Sequence, residues 1–393
     1  MIKLSFTGDV TCDKPLLAAC KQSDGSYDFS DVLKEVKSCF SESDCVIGNL
    51  ETVFGGKRKG YNVRPLGYNS PDSFMTCLKK AGFSGFSTAN NHCMDEGLAG
   101  LDRTIRLLDK LGIQHAGTQI NGKSEWIFES KGIKVAVLAY SQSLNRTKFA
   151  DKTDNIEQYV NLLYPYEANQ VHSIRLKILS LFPLGLRESI KRLLGRPTVT
   201  QVTDVIHDEM INEDYLERIK QDISGAKKAA DFCIVCVHCG GQFNILPGTY
   251  SEYIFDHFIN CGADAVIGNH PHIIQKIDLK DGKPAAFSLG GFTLSPSAEY
   301  VFNSKEILAE YSLIVNLYFD EEEKKLSKVT YSILKGIEDA DHKLSVVPVS
   351  KLYEGLSESE REELSADVRN IKSRISGQKE DNTVSEEYLL YEL

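Results

Sequence analysis

No apolar run in the sequence approaches the ~20 residues that a helix needs to cross a bilayer, so a membrane-spanning chain is not expected. The opening Met1-Ile2-Lys3-Leu4-Ser5-Phe6-Thr7-Gly8-Asp9 lacks the basic segment and apolar stretch of a secretory signal, which reads as a cytoplasmic protein. Basic charge is not in excess either: 45 Lys and Arg stand against 55 Asp and Glu, a net charge of −10. Nucleic-acid binders usually carry a basic footprint, so no nucleic-acid partner is expected. No GxGxxG follows the first strand, and no P-loop lysine or GxSxG elbow is present, which disfavours those nucleotide-binding folds and the nucleophile-elbow hydrolases. Internal repeats and low-complexity tracts are absent.

Ten cysteines are scattered through mostly apolar stretches. A chain of 393 residues is long enough to bury a real core, so a small disulfide framework is not needed. Free, buried thiols in a reducing compartment are the expectation. The run Cys233-Ile234-Val235-Cys236-Val237-His238-Cys239 resembles a metal-cluster motif. On a strand, however, Cys233 and Cys239 face one way and Cys236 the other, so they cannot converge on one ion.

At 42% hydrophobic and 25% charged residues, the composition is that of a globular protein. Strand and helix patterns alternate. Ile2, Leu4 and Phe6 mark a first strand; Val32 to Phe40 reads as a helix; Cys45 to Ile47 as a strand. Phe74 to Ala81 reads as a helix, Phe83 to Ala89 as a strand, and Leu101, Ile105, Leu108 and Leu111 lie at helical spacing before Gly112. Ile133 to Tyr140, Phe232 to Val237 and Ala265 to Ile267 are apolar strands, with helices over Asp214 to Ala230 and Tyr253 to Asn260. This rhythm predicts an α/β fold with helices over a sheet. Tyr311 to Phe319 and Lys328 to Leu334 flank a charged turn, so the later sheet is expected to be mixed. Ser357 to Ile375 reads as a charged, solvated helix. One domain over 1–340 followed by a charged helical extension over 341–393 is the expected division.

Residues 141–205 separate two core strands by far more than the usual ~2–6 residues and read as a helical insertion. Within 172–196, six basic residues accompany one acidic residue. Pro183 and Gly185 should divide this stretch into two short helices, the second with an apolar stripe of Leu186, Ile190, Leu193 and Leu194. It reads either as a flap packed on the domain or as a lid. The lid would turn its basic face to an anionic substrate, or its apolar face to a membrane or partner synthase.

Polar residues recur at the C-terminal ends of the apolar strands: Asp9, Glu51, Asn91 with His92, His238, then His270 and His272. Ligands bind at that edge of open α/β sheets. Carboxylate, imidazole and amide donors suit Mn, Fe or Zn, and a carboxylate placed between two cations can bridge them.

These residues carry a resemblance. Gly8-Asp9, Asn49-Leu50-Glu51, Ala89-Asn90-Asn91-His92, Val237-His238-Cys239-Gly240, Gly268-Asn269-His270-Pro271-His272 and Phe287-Ser288-Leu289-Gly290-Gly291-Phe292 resemble, in order, the motifs of the CapA family of capsule and poly-γ-glutamate synthesis proteins. That family is similar to the calcineurin-like metallophosphoesterases. The resemblance implies a two-sheet mixed β-sandwich flanked by helices, with two divalent transition metal ions at the strand ends. It implies Asp9 and His272 on one ion, Glu51 as the bridge, Asn91, His238 and His270 on the second, and His92 as the acid beside the scissile bond. Three positions depart from the pattern. Thr11 stands where a histidine is expected, with Asp13 the candidate to compensate. Gln242 and Phe243 replace an acidic residue and a phenol, and Gly291 replaces an asparagine. The implied activity is metal-dependent hydrolysis of a phosphoester, or a related acyl or amide bond, in an anionic cell-envelope polymer or its precursor. The alternative is a non-catalytic component that binds polymer or synthase, which Thr11, Gln242 and Gly291 favour.

Overall fold

The computed structural model describes residues 1–57, 60–63, 67–120, 122, 124–145, 150–169, 204–301 and 304–393. The stretch 172–196, with its expected pair of helices, lies outside the described residues.

Two mixed sheets face each other. The first has β1 (Ile2–Val10), β2 (Cys45–Leu50), β3 (Gly85–Ser87) and β4 (Gln114–Ala116) in parallel. β11 (Tyr311–Asp320) pairs antiparallel with β1, and β12 (Lys325–Glu338) with β11. β13 (Leu344–Pro348) and β14 (Tyr388–Glu392) both pair with β12, giving eight strands. The second sheet runs β5 (Trp126–Ser130), β6 (Ile133–Ser141), β7 (Phe232–His238), β8 (Ala265–Asn269), β10 (Lys283–Ala286), β9 (Ile277–Lys280). Its centre, β6-β7-β8-β10, is parallel.

Alternation along each strand builds the layers. In β1, Ile2, Leu4 and Phe6 enter the core between the sheets, where Val135, Val137 and Ala139 of β6 and Ile234 and Cys236 of β7 meet them. The residues between, Cys233, Val235 and Val237, join a second core under α4 (Glu213–Ala229) and α5 (Thr249–Asn260). The outer face of the first sheet packs against α1 (Lys14–Ala19) and α2 (Asp72–Ala81) through Leu16, Leu17, Phe74, Met75 and Leu78. Cys233 and Cys236 of β7, with Cys239 just beyond it, therefore divide between two layers, and all ten cysteines are free thiols. α2 ends at Gly82 and α3 (Gly97–Leu111) at Gly112, where positive φ angles favour glycine.

Two elements differ from expectation. Residues 31–40 form turns and a single 3₁₀ helix, Lys37–Phe40, rather than an α-helix. The Val32 carbonyl, which an α-helix would pair with Val36, instead accepts from Val346 N of β13 at 2.9 Å. The charged helix near the C-terminus, α7 (Glu358–Ser376), is not wholly solvated: Leu364, Val368, Ile371 and Ile375 enter the inter-sheet core. The segment after residue 340 also contributes β13, α6 (Val349–Glu354) and β14. The described part of 141–205 holds three short 3₁₀ turns between Ala150 and Asn169. No helix among the described residues is long and apolar enough to cross a membrane.

The sheets touch where Gly8 passes Gly290. Asp9 N donates to Gly290 O at 2.9 Å and Phe292 N to Asp9 O at 2.8 Å. A Cβ on Gly8 would sit 1.9 Å from Gly290 O, so only glycine permits the approach. This junction sets the end of β1 beside the loops of the second sheet.

Candidate metal centre

Each donor sits where an apolar strand runs out. Asp9 is near the end of β1, Glu51 follows β2, and Asn91 and His92 lie in the turn after β3. His238 ends β7, and His270 and His272 follow β8. The first sheet thus supplies carboxylates, an amide and one imidazole, and the second supplies three imidazoles.

Two groups of donors form. Glu51, His238 and His270 make one, and Asp9, Glu51 and His272 the other, with the donor atoms of each within 4.8 Å of one another. Glu51 belongs to both. Asn91 Oδ1 lies 2.8 Å from His238 Nε2, which places it beside the first group. His272 Nδ1 is 2.9 Å from Asp9 Oδ2, and Asn49 Nδ2 donates to Asp9 Oδ1 at 2.7 Å. His270 and His272 both adopt positive φ, 104° and 59°, which for non-glycine residues stores strain on the order of 1 kcal/mol or more each. The strain sits at two donor positions and aims both rings inward.

The electrostatics are those of an incomplete donor set. Glu51 is fully buried, and neither carboxylate oxygen has a hydrogen-bond partner among the described residues. His238 Nε2 approaches Oε1 at 3.5 Å and His272 Nδ1 approaches Oε2 at 3.7 Å, without hydrogen-bond geometry. Burial, then the charges of Asp9 and Asp95, push the Glu51 carboxyl well above its usual range. Burial and the neighbouring imidazoles hold His238 well below the usual histidine value, and burial brings His270 down to about 3. Neutral imidazoles keep the lone pairs that metals use. A buried carboxylate without donors is costly unless a cation meets it. The residues present therefore fit divalent cations, with Glu51 positioned to be shared.

His92 stands beside this set. Its Nδ1 is 2.7 Å from Asp95 Oδ2, its Nε2 is 3.9 Å from Glu51 Oε1, and the Tyr68 ring lies against it at 4.2 Å. Asp13 is not drawn into either group. Its carboxylate caps α1 by accepting from Leu16 N at 3.0 Å, and accepts from Ser295 N and Oγ at 2.7 Å each. Burial raises its pKa to about 6. Thr11 is also engaged elsewhere: its amide donates to Thr293 Oγ1 at 2.9 Å, and Thr293 Oγ1 donates back to Thr11 O at 2.7 Å. Gln242 Nε2 reaches His272 Nε2 at 3.5 Å, and the Phe243 ring is 5.9 Å from that imidazole.

Several residues at the centre escape sequence reasoning. Asp95, three positions after His92, could have been found from that spacing. Asn145 accepts from Asn91 Nδ2 at 3.2 Å and places its own amide 3.1 Å from His92 Nδ1. Tyr68 and Tyr300 join hydroxyls across the site's edge. These three arrive on loops without a periodic signal.

Known proteins resemble this chain over most of its length. The chain is 27% identical over 279 residues to an uncharacterized protein of Sinorhizobium fredii, covering 66% of this chain and 60% of that one. It is 23% identical over 297 residues to a PGA biosynthesis protein, CapA, of Bacillus subtilis, covering 74% and 63% respectively. It therefore spans about 60% of the length of these curated relatives. Among solved structures, a 5'-nucleotidase from Candida albicans aligns over 94% of this chain and 56% of its own, with 9% identity and a TM-score of 0.41. Residues 3–295 match the family of bacterial capsule synthesis proteins designated PGA_cap, and the chain belongs to that family.

Proposed function

We propose that this protein is a metal-dependent hydrolase of capsule biosynthesis, acting on a phosphoester or related acyl or amide bond in an anionic polymer such as poly-γ-glutamate, or in its precursor. The observation that carries the reading is Glu51: a fully buried carboxylate, lacking hydrogen-bond donors among the described residues and common to two donor groups. Asp9 and His272 with Glu51, and Asn91, His238 and His270 with Glu51, would hold two divalent cations. Such cations supply Lewis-acid stabilisation of developing negative charge and make water acidic enough to deprotonate near neutral pH. The chain's own residues do the rest. Asp95 accepts from His92 Nδ1, leaving Nε2 on the Glu51 side as the atom that hands a proton to the leaving group. Asn49 orients Asp9, and burial keeps the imidazoles neutral.

Purified protein should retain Mn, Fe or Zn by mass spectrometry and turn over bis-p-nitrophenyl phosphate with one of them. His270→Ala should lose both properties. A metal-free protein that cannot be loaded, or turnover untouched by His270→Ala, sinks the reading.

A second reading, a non-catalytic polymer- or synthase-binding component, draws support from Thr11, whose backbone and hydroxyl are tied to Thr293 rather than aimed at the donors. The same screen separates the two. We also propose that 172–196 makes a peripheral contact with substrate, membrane or synthase. Deleting it should weaken that association and leave metal content unchanged.

A further inference from the structure

The loop before α2 and the loop that follows Gly291 meet over the donor cluster through two phenols. Tyr68 and Tyr300 stand 232 residues apart in sequence, and their hydroxyls are hydrogen-bonded to each other. Among the described residues each hydroxyl has no other hydrogen-bond partner. The rings neighbour different members of the centre: Tyr68 lies against His92 at 4.2 Å, and Tyr300 faces His272 at 6.3 Å. Both are firmly held. Tyr68 N donates to Asp95 Oδ2 at 2.7 Å, the oxygen that also takes His92 Nδ1. Tyr300 packs on a small cluster of Phe243, Ile273, Leu294, Ala298 and Val301. Tyr68 is buried and Tyr300 half-buried. Burial pushes both phenols well above their usual range, with Glu51 among the charges adding to the effect, so both keep their protons.

Two phenols hold two protons, and their mutual bond uses one. An oxygen entering between them could accept from both, exchanging one neutral hydrogen bond for two charge-assisted ones. We infer that Tyr68 and Tyr300 form a paired-donor subsite that opens to grip an anionic oxygen of the substrate, one phenol on the His92 side and the other on the His272 side. The inference deepens the hydrolase reading and rests on it for the reaction, but not for the binding step. The ligand class it selects is an oxyanion with two accessible lone pairs, such as a phosphoryl or carboxylate group.

The test is calorimetric titration of inorganic phosphate into Tyr68→Phe, Tyr300→Phe, the double variant and wild type. Each protein is titrated once loaded with Mn and once metal-free, with Mn content measured alongside. Phenylalanine keeps the ring against His92 and removes only the donor. Each single variant should bind phosphate about tenfold more weakly, as loss of one charge-assisted donor predicts. The double variant should fall short of the product of the singles, because the two hydroxyls act on one oxygen. Mn content should be unchanged. Equal phosphate affinity in wild type and variants overturns the inference, as does Mn-loaded wild type that binds no phosphate. If wild type takes up no Mn, the metal reading fails by itself, and the metal-free titrations decide the tyrosine pair on the same criteria.

Discussion

Replacing Glu51 with glutamine should make the protein more stable without metal and less stable with it. Without cations, wild type buries a carboxylate whose two oxygens lack hydrogen-bond donors among the described residues, beside the second carboxylate of Asp9. Glutamine keeps the volume and cannot ionise, so at neutral pH the metal-free variant escapes the cost of protonating that carboxyl or burying its charge and should gain on the order of 1–3 kcal/mol. With metal the order reverses. One cation at 100 times its Kd contributes about 2.7 kcal/mol to the folded state, and two contribute about twice that. Glu51 is common to both donor groups, so the glutamine variant should lose most of both increments. At about 2.1 cal/mol/K of unfolding entropy per residue, a chain of 393 residues moves its Tm by roughly 1 °C per kcal/mol. Thermal melts in EDTA and in excess Mn should therefore cross, wild type rising by about 5 °C with Mn and Glu51→Gln by 1 °C or less. A variant that keeps the full Mn-dependent rise, or that melts well below wild type in EDTA, would refute the argument.

Three further outcomes are expected. Gly8→Ala drives a Cβ to 1.9 Å from Gly290 O, so the junction of the sheets must part; a loss of about 3 kcal/mol or more in urea denaturation is expected, with reduced metal uptake. Asp13, raised from 3.8 to about 6, contributes stability that is fully present below its unfolded pKa and is lost as pH rises through its folded pKa. Between pH 4 and 7 wild type should lose about 2 kcal/mol through this group, and urea midpoints of Asp13→Asn should lack that component; parallel pH profiles would refute it. Asn145→Ala removes the partner that holds Asn91 Nδ2, so metal affinity in chelator competition should weaken about tenfold, and unchanged affinity would show that Asn145 plays no positioning role.

The donors were legible because each stands at a point where an apolar strand stops, and an imidazole or carboxylate there breaks the pattern. Asp9, Glu51, His238, His270 and His272 all come together as donor groups. Asp13 also follows the first strand, but nothing local reveals that its oxygens cap α1 and hold Ser295. Tyr68, Tyr300 and Asn145 were not legible, since a loop residue has no period and its neighbours are set by tertiary structure. β6, β7 and β8 of the second sheet followed from apolar runs, and α3 from its helical spacing and terminal Gly112, whereas β5, β9 and β10 were not read. Residues 31–40 failed because Val346 takes a carbonyl that local reasoning assigns to a helix. In α7, Leu364, Val368, Ile371 and Ile375 do lie at helical spacing, but the dense charge between them conceals an apolar stripe.

The placement of the cysteines gives the protein a built-in record of how it opens. Cys45, Cys93 and Cys236 sit between the sheets, Cys12 and Cys20 under α1 and α2, and Cys233 and Cys239 under α4 and α5. Cys39, Cys77 and Cys261 are only partly covered. Burial removes the interior thiols from reagents twice over, by excluding the reagent and by pushing Cys45, Cys93, Cys233 and Cys236 up to about 12, where little reactive thiolate exists at neutral pH. Pulsed alkylation read by peptide mass would label the three outer thiols first. After that, the order in which the remaining seven react reports which layer separates first, with no label introduced by mutation.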